Sequence, residues 1–149
     1  MQKRQLLSVD FNENTHKTLA EAAASFEIEV ISAYSGAEGI EIFWKNQDII
    51  LLATAIHLPV IDGLEMIKRL RRLGLKSPTL AVVDSGDREA LERASKLALT
   101  GWLQRPLTIA TSRECFRRVL GIESPTDDLN HDEKKTKKKI QQIGWTFDN

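Results

Sequence analysis

Apolar positions along the chain fall into five short runs, and each run is followed by a stretch in which they recur every three or four residues. Gln5 to Asp10 (QLLSVD) reads as a short buried strand that ends on an acid. Leu19, Ala22, Ala23 and Phe26 then share one face of a helix over Thr15 to Phe26, with Asn12, Glu13 and Asn14 supplying loop and helix-start chemistry. Glu27 to Ala33 mixes polar residues with Ile28, Val30 and Ile31, as a half-exposed edge strand would. Ser35 caps a second helix whose expected inner face is Ala37, Ile40, Phe43 and Trp44, ended by Gln47 and Asp48. From Ile49 the run IILLATA lacks alternation, the mark of a central strand buried on both faces. Leu58-Pro59 and Asp62-Gly63 make the loop beyond it. Leu64, Ile67, Leu70 and Leu73 form the next stripe, with Lys68, Arg69, Arg71 and Arg72 opposite.

The alternation continues to the end of the fifth unit. Thr79 to Val83 is a buried strand stopped by Asp84, Ser85, Gly86 and Asp87. Arg88 to Leu99 is expected as an amphipathic helix, its inner side drawn from Leu91, Ala94, Ser95, Leu97 and Ala98. Gly101 to Gln104 is a very short strand broken by Arg105-Pro106, and Thr108 or Thr111 starts a last helix through Phe116, Val119 and Leu120. Five strand-helix units on short connections specify an α/β fold: a doubly wound parallel sheet with helices on both faces. Chemistry in such sheets belongs at the carboxyl ends of the strands, here residues 53–58 after the central strand. No carboxylate, thiol or lysine stands there.

Composition changes this picture little. The 149 residues suit one domain, residues 1–121, plus a tail, residues 122–149. Formal net charge is zero, so no global field draws the chain toward nucleic acid. No signal peptide or membrane-length run is present, and a cytoplasmic location is the expectation. Cys115 is the sole cysteine and is expected as a small core residue. The tail has linker chemistry over Glu123 to Asp128 and is almost wholly charged over His131 to Lys139. It is expected to be flexible.

The order of elements, together with Val9-Asp10, Leu58-Pro59, Asp62-Gly63 and Arg105-Pro106, resembles the receiver domain of bacterial response regulators over residues 4–120. The resemblance implies a flavodoxin-like sheet in the order 2-1-3-4-5. It also implies a phosphorylation pocket: an acidic pair after the first strand for Mg²⁺, an Asp ending the third strand, a Thr or Ser ending the fourth, and a Lys before the Pro of the fifth. At those positions stand Asp10 and Phe11, Ala55, Val83 and Arg105. Trp102 falls on the family's aromatic switch position. Three apolar replacements suggest a pocket refilled as core, with Asp10 paired to Arg105. The reading is a pseudo-receiver without metal or cofactor, and not an enzyme.

Weighed singly, the remaining candidates are modest. Thr54 is expected to face away from Ala55 as a satisfied strand threonine. His16 is placed on an exposed helix face, His57 in the loop and His131 in the tail, with no convergence on a metal. Trp102, with Arg113 and Arg117 on the last helix, is offered as the partner-binding face, against partial burial of Trp102 on that helix. The expected function is a phosphorylation-independent protein-interaction module of bacterial signalling. Its partner would be a signalling kinase, an output domain or another regulator. Homodimerisation stays open, and no membrane contact is expected. A ligand- or nucleic-acid-responsive regulator using the altered pocket or the Lys-rich tail is the runner-up, with nucleic acid disfavoured by the acids beside the lysines. A receiver fragment of a larger sensory or output protein is the third reading.

Overall fold

Short apolar runs flanked by capping residues become buried strands joined by helices in the computed structural model, which describes residues 4–46 and 48–121. The strands are β1 (Arg4–Val9), β2 (Ile28–Ala33), β3 (Ile49–Ala55), β4 (Thr79–Val83) and β5 (Gly101–Gln104). They lie parallel in the order β2-β1-β3-β4-β5. The helices are α1 (Glu13–Ala24), α2 (Gly36–Lys45), α3 (Gly63–Arg72), α4 (Arg88–Ser95) and α5 (Ile109–Leu120). This is the doubly wound receiver fold expected from the sequence. The order reverses at β1, where the chain crosses from β2 to β3, and that reversal opens a crevice above the carboxyl ends of β1 and β3.

Each helix starts where a short polar side chain can satisfy an orphan backbone N–H. Asn12 accepts from Asn14 N, Ser35 from Glu38 N, Asp62 from Glu65 N, Asp87 from Ala90 N and Thr108 from Thr111 N. Such caps contribute about 1 kcal/mol each. Two apolar layers cover the sheet. Leu19, Ala22 and Ala23 of α1 and Cys115 and Phe116 of α5 cover one face. Phe43 of α2, Leu64, Met66, Ile67 and Leu70 of α3 and Ala90 and Ala94 of α4 cover the other. Cys115 is a core residue, and burial pushes its thiol far above the ordinary range.

Three expectations are corrected. The inner face of α2 is Gly36, Gly39 and Phe43, whereas Ala37 is exposed, Ile40 is half-buried and Trp44 is 61% exposed. A Cβ on Gly39 would stand 2.8 Å from Met66 Sδ and 3.1 Å from a Val9 methyl, so α2 lies too close to α3 and β1 for larger side chains there. Helix α4 ends at Ser95, not Leu99, because Ala98 takes a left-handed conformation (φ 51°) and turns the chain into β5. Leu73 caps α3 at the surface, and Met66 takes the inner place beside Ile67 instead. The stop expected at Gln47 falls on a residue outside those described, and Asn46 caps α2. The expectations for the tail, residues 122–149, also lie outside the described residues.

Two backbone positions set the β3–α3 loop. Gly63 donates its N–H to Ile56 O at 2.8 Å, and a Cβ there would stand 1.9 Å from the carbonyl oxygen of Ala55. Val60 has φ 68° and no neighbour covering it, and it is the middle of a three-residue turn closed by Ile61 N–H to Pro59 O at 2.8 Å. A β-branched residue at positive φ is strained. Gly63→Ala should therefore lower stability by about 3 kcal/mol or more, since backbone must move to admit the methyl. Val60→Asn should raise it by about 0.5–1 kcal/mol, because strain is relieved and no packing is lost. Urea unfolding of both variants checks this, and a Val60→Asn midpoint below wild type would contradict it.

Candidate functional site

Asp10 follows β1 and has no exposed surface. A carboxylate so placed must be matched by donors, and three residues supply them. Asn12 N–H reaches Oδ1 at 3.0 Å, while Oδ2 takes the Thr15 hydroxyl at 2.7 Å and Arg105 Nη2 at 2.5 Å. The expected Asp10–Arg105 pair is thus present, and Arg105 also places Nε 3.2 Å from Asp84 Oδ1. Arg105 sits directly after β5, at the edge of the crevice, so its long side chain reaches over the ends of β4 and β3 to Asp10 after β1. A planar fork with donors pointing in different directions can meet two carboxylates at once, which a lysine ammonium does less well.

Directly behind Asp10 lies His16, expected on an exposed face but 3% exposed. Its Nε2–H donates to the backbone oxygen of Asp10 at 2.8 Å, since a carbonyl only accepts, and Nδ1 lies 2.9 Å from Ser8 Oγ. Tyr34 stacks edge-on at 4.7 Å between ring centroids. The correction has a physical reason: His16 stands three residues before Leu19 and seven before Ala23, on the buried stripe of α1, where its two ring nitrogens find partners.

The three apolar replacements do not behave alike. Ala55 and Val83 are buried at the ends of β3 and β4, but Phe11 is 64% exposed. The pocket is therefore not refilled as core at all three positions. A cleft of about 200 Å³ remains, with Ala55, Val83 and Ala90 on its apolar side and Phe11, His57, Asp84, Asp87 and Arg105 around it. Ala55 and Val83 lie within the sheet, where alternation commits them inward. Phe11 is one residue beyond Asp10 and free of that register. Thr54 is fully buried and its hydroxyl donates to Ala55 O at 2.8 Å, as a satisfied strand threonine.

Across the cleft, His57 Nε2–H donates to Asp87 Oδ2 at 2.7 Å, so the cap of α4 is tied to the β3–α3 loop. Asp62, the cap of α3, pairs in turn with Arg93 of α4. Burial pushes the Asp62 carboxyl up, but the N–H of Glu65 and the Arg93 guanidinium outweigh it and hold the group below its usual value. The N–H of Ala90, with His57, holds half-buried Asp87 down as well.

The expected binding face divides. Trp102 is half-buried on edge strand β5, but it packs against α4 rather than the last helix, beside Leu91, Ala94 and Leu99. Arg117 extends over the Phe26 ring at 5.9 Å, turning it toward α1 and away from Trp102. Arg113 is half-buried on α5. Thr15, His16, Asp84 and Asp87 are the residues that sequence reasoning did not single out at the site. The spacing of Thr15 and His16, five and six residues after Asp10, was a usable signal once a helix start at Glu13 is assumed.

A family model described as "Response regulator receiver domain" matches residues 6–116. The chain is 28% identical over 98 residues to a chemotaxis protein CheY homologue of Campylobacter jejuni, a match spanning 64% of this chain and 75% of that protein. It is 26% identical over 104 residues to the sensor histidine kinase RcsC of Escherichia coli, spanning 70% of this chain and 11% of RcsC. Among solved structures, CheY4 of Vibrio cholerae superposes with a TM-score of 0.69 at 22% identity, covering 79% of this chain and 99% of CheY4. A two-component response regulator from Clostridium difficile does so with a TM-score of 0.71 at 19% identity, covering 79% and 96%. No helix among the described residues is long and apolar enough to cross a membrane.

Two outcomes are expected of this electrostatic arrangement. Arg105→Ala leaves a buried carboxylate without its cation and should cost about 3–5 kcal/mol, with Arg105→Lys losing distinctly less. Chemical denaturation measures both, and an alanine variant as stable as wild type would remove Arg105 from this role. A carboxyl held below its unfolded value binds fewer protons when folded, so its contribution is present above that value and is lost as pH falls through the folded one. Stability should thus decline on acidification below about pH 4, the ordinary carboxylate range, and Asp62→Asn should flatten that decline. Urea midpoints between neutral and acid pH read the slope.

Proposed function

The chain belongs to the response regulator receiver domain family of bacterial two-component signalling, and we propose that it serves there as a phosphorylation-independent protein-interaction module. The observation that carries this reading is Ala55, a methyl group 2% exposed at the position that corresponds to the phosphoryl-accepting Asp. A methyl offers no nucleophile, and phosphoryl transfer requires one together with charge stabilisation. The residues around it do not suit Mg²⁺ either. That ion needs several oxygen ligands in octahedral array. Both oxygens of Asp10 are engaged by Asn12, Thr15 and Arg105, and its sequence neighbour is the ring of Phe11. The Arg105 guanidinium, where the resemblance implies a Lys, sets its positive charge directly against Asp10.

In this reading the domain presents one state constantly, and the face around Trp102, with α4 and Arg113 of α5, meets a protein partner such as a kinase, an output domain or another regulator. Neither a cofactor nor catalysis is part of it. A second reading has its own support. The match to RcsC spans 11% of that sensor kinase, so a chain of this kind also fits as the receiver portion of a larger sensory protein. An antibody to the domain, read by size in native cells, separates the two.

Incubation with a small acyl phosphate and Mg²⁺, followed by intact-mass measurement, tests the principal reading. No added phosphoryl group is expected. A stable adduct would overturn it. Ala55→Asp alone should also stay unmodified and should lose about 1–3 kcal/mol, because the new carboxylate is buried near Asp10 and must share Arg105.

A further inference from the structure

Helix α4 is attached to the domain by different means from its neighbours. It has eight residues, of which Ala90 and Ala94 are buried and Leu91 is half-buried against the same layer, so it seats two methyl groups and part of one larger side chain in the core. The space beneath it is not filled: an apolar cavity of about 100 Å³ lies between α4 and β5, among Leu91, Ala94, Leu99 and Trp102. Lining atoms of such a void forgo dispersion contacts on one side. Helix α3, by contrast, buries Leu64, Met66, Ile67 and Leu70.

Polar links compensate, and all come from the β3–α3 unit. His57 holds the amino end of α4 through Asp87 at 2.7 Å. Asp62 holds its middle through Arg93. Arg71 holds the turn that leaves it, donating from Nη1 to Leu97 O and from Nη2 to Ala98 O at 3.3 Å. That turn includes Ala98 at φ 51°, a conformation costly for a residue with a Cβ. The partners are partly solvated, and each such contact is individually weak.

We propose that α4 is a detachable element, latched to the β3–α3 unit by His57, Asp62 and Arg71, and that its release, independent of global unfolding, uncovers Trp102 and the side of β5 that it now covers. The inference concerns how α4 is held and stands apart from the question of which partner the face binds. Regions with few buried apolar contacts open locally at low free energy, and loss of a latch should lower that cost further.

Native-state hydrogen exchange on the full chain tests it, comparing wild type with His57→Ala, Arg93→Gln and Arg71→Gln. Amides of α4 should exchange about threefold to tenfold faster in each variant, and faster still in the triple variant, while those of β1 and β3 keep their protection. Raising salt should speed α4 exchange in wild type and have less effect in the triple variant. Unchanged α4 protection would overturn the proposal. So would acceleration of α4 and the central strands by the same factor, since α4 would then open only when the whole domain does.

Discussion

A carboxylate with no exposed surface at the carboxyl end of β1 is the constraint around which this domain closes. Asp10 cannot be left to solvent, so every group it can bond is brought in from elsewhere in the chain. Its own N–H binds Ala33 O on β2 at 3.0 Å, and its carbonyl takes the His16 ring from α1. Its side chain takes Thr15 from α1 and Arg105 from beyond β5. One residue thus ties the edge strand, the first helix and the far side of the sheet. Apolar layers press helices onto strands, but they do not specify how the loops above the sheet meet. The polar contacts of Asp10 do.

That arrangement bears on what the crevice can do. In a site built for a metal, oxygens would converge on an ion and remain partly unsatisfied without it. Here the carboxylate faces a guanidinium that reaches over from beyond β5, and the charge is balanced within the protein. The apolar substitutions then fall into two kinds. Ala55 and Val83 belong to strands and take the burial their register imposes, whereas Phe11 stands one step past the strand and exposes its ring. The crevice thus has an apolar interior, an internal ion pair and an exposed aromatic at its mouth.

The two sides of the sheet are also unequal in how firmly they are held. Phe116 and Cys115 anchor α5 deep in one layer, and the edge-on contact of Phe26 with Phe116 adds to it. On the other side α4 depends on carboxylates, a histidine and arginines. Apolar burial is insensitive to ionic conditions, and partly solvated ion pairs are not. The element nearest Trp102 is therefore the one most open to change from outside.

Hydrophobic periodicity alone determined the class of fold, the five units and their order along the chain. Strands β4 and β5 could be bounded to the residue, because turn chemistry brackets them on both sides. The pairing of Asp10 with Arg105 was likewise legible, since a lone acid at the end of a buried strand needs a cation and one arginine stood after the fifth strand. Periodicity could not decide where helices meet at close range. Gly36 and Gly39 were unreadable as an inner face because a glycine carries no apolar signal, and only the close approach of Ile61 to the one and of Met66 and Val9 to the other makes them buried. A polar side chain hid His16, which stands on the buried stripe three residues before Leu19, and Phe11 leaves the strand where alternation ceases to bind it. The bonds from His57, Asp62 and Arg71 to α4 join residues 26 to 31 positions apart. Such contacts exist only once the sheet has set two crossover helices side by side, so tertiary structure alone decided them.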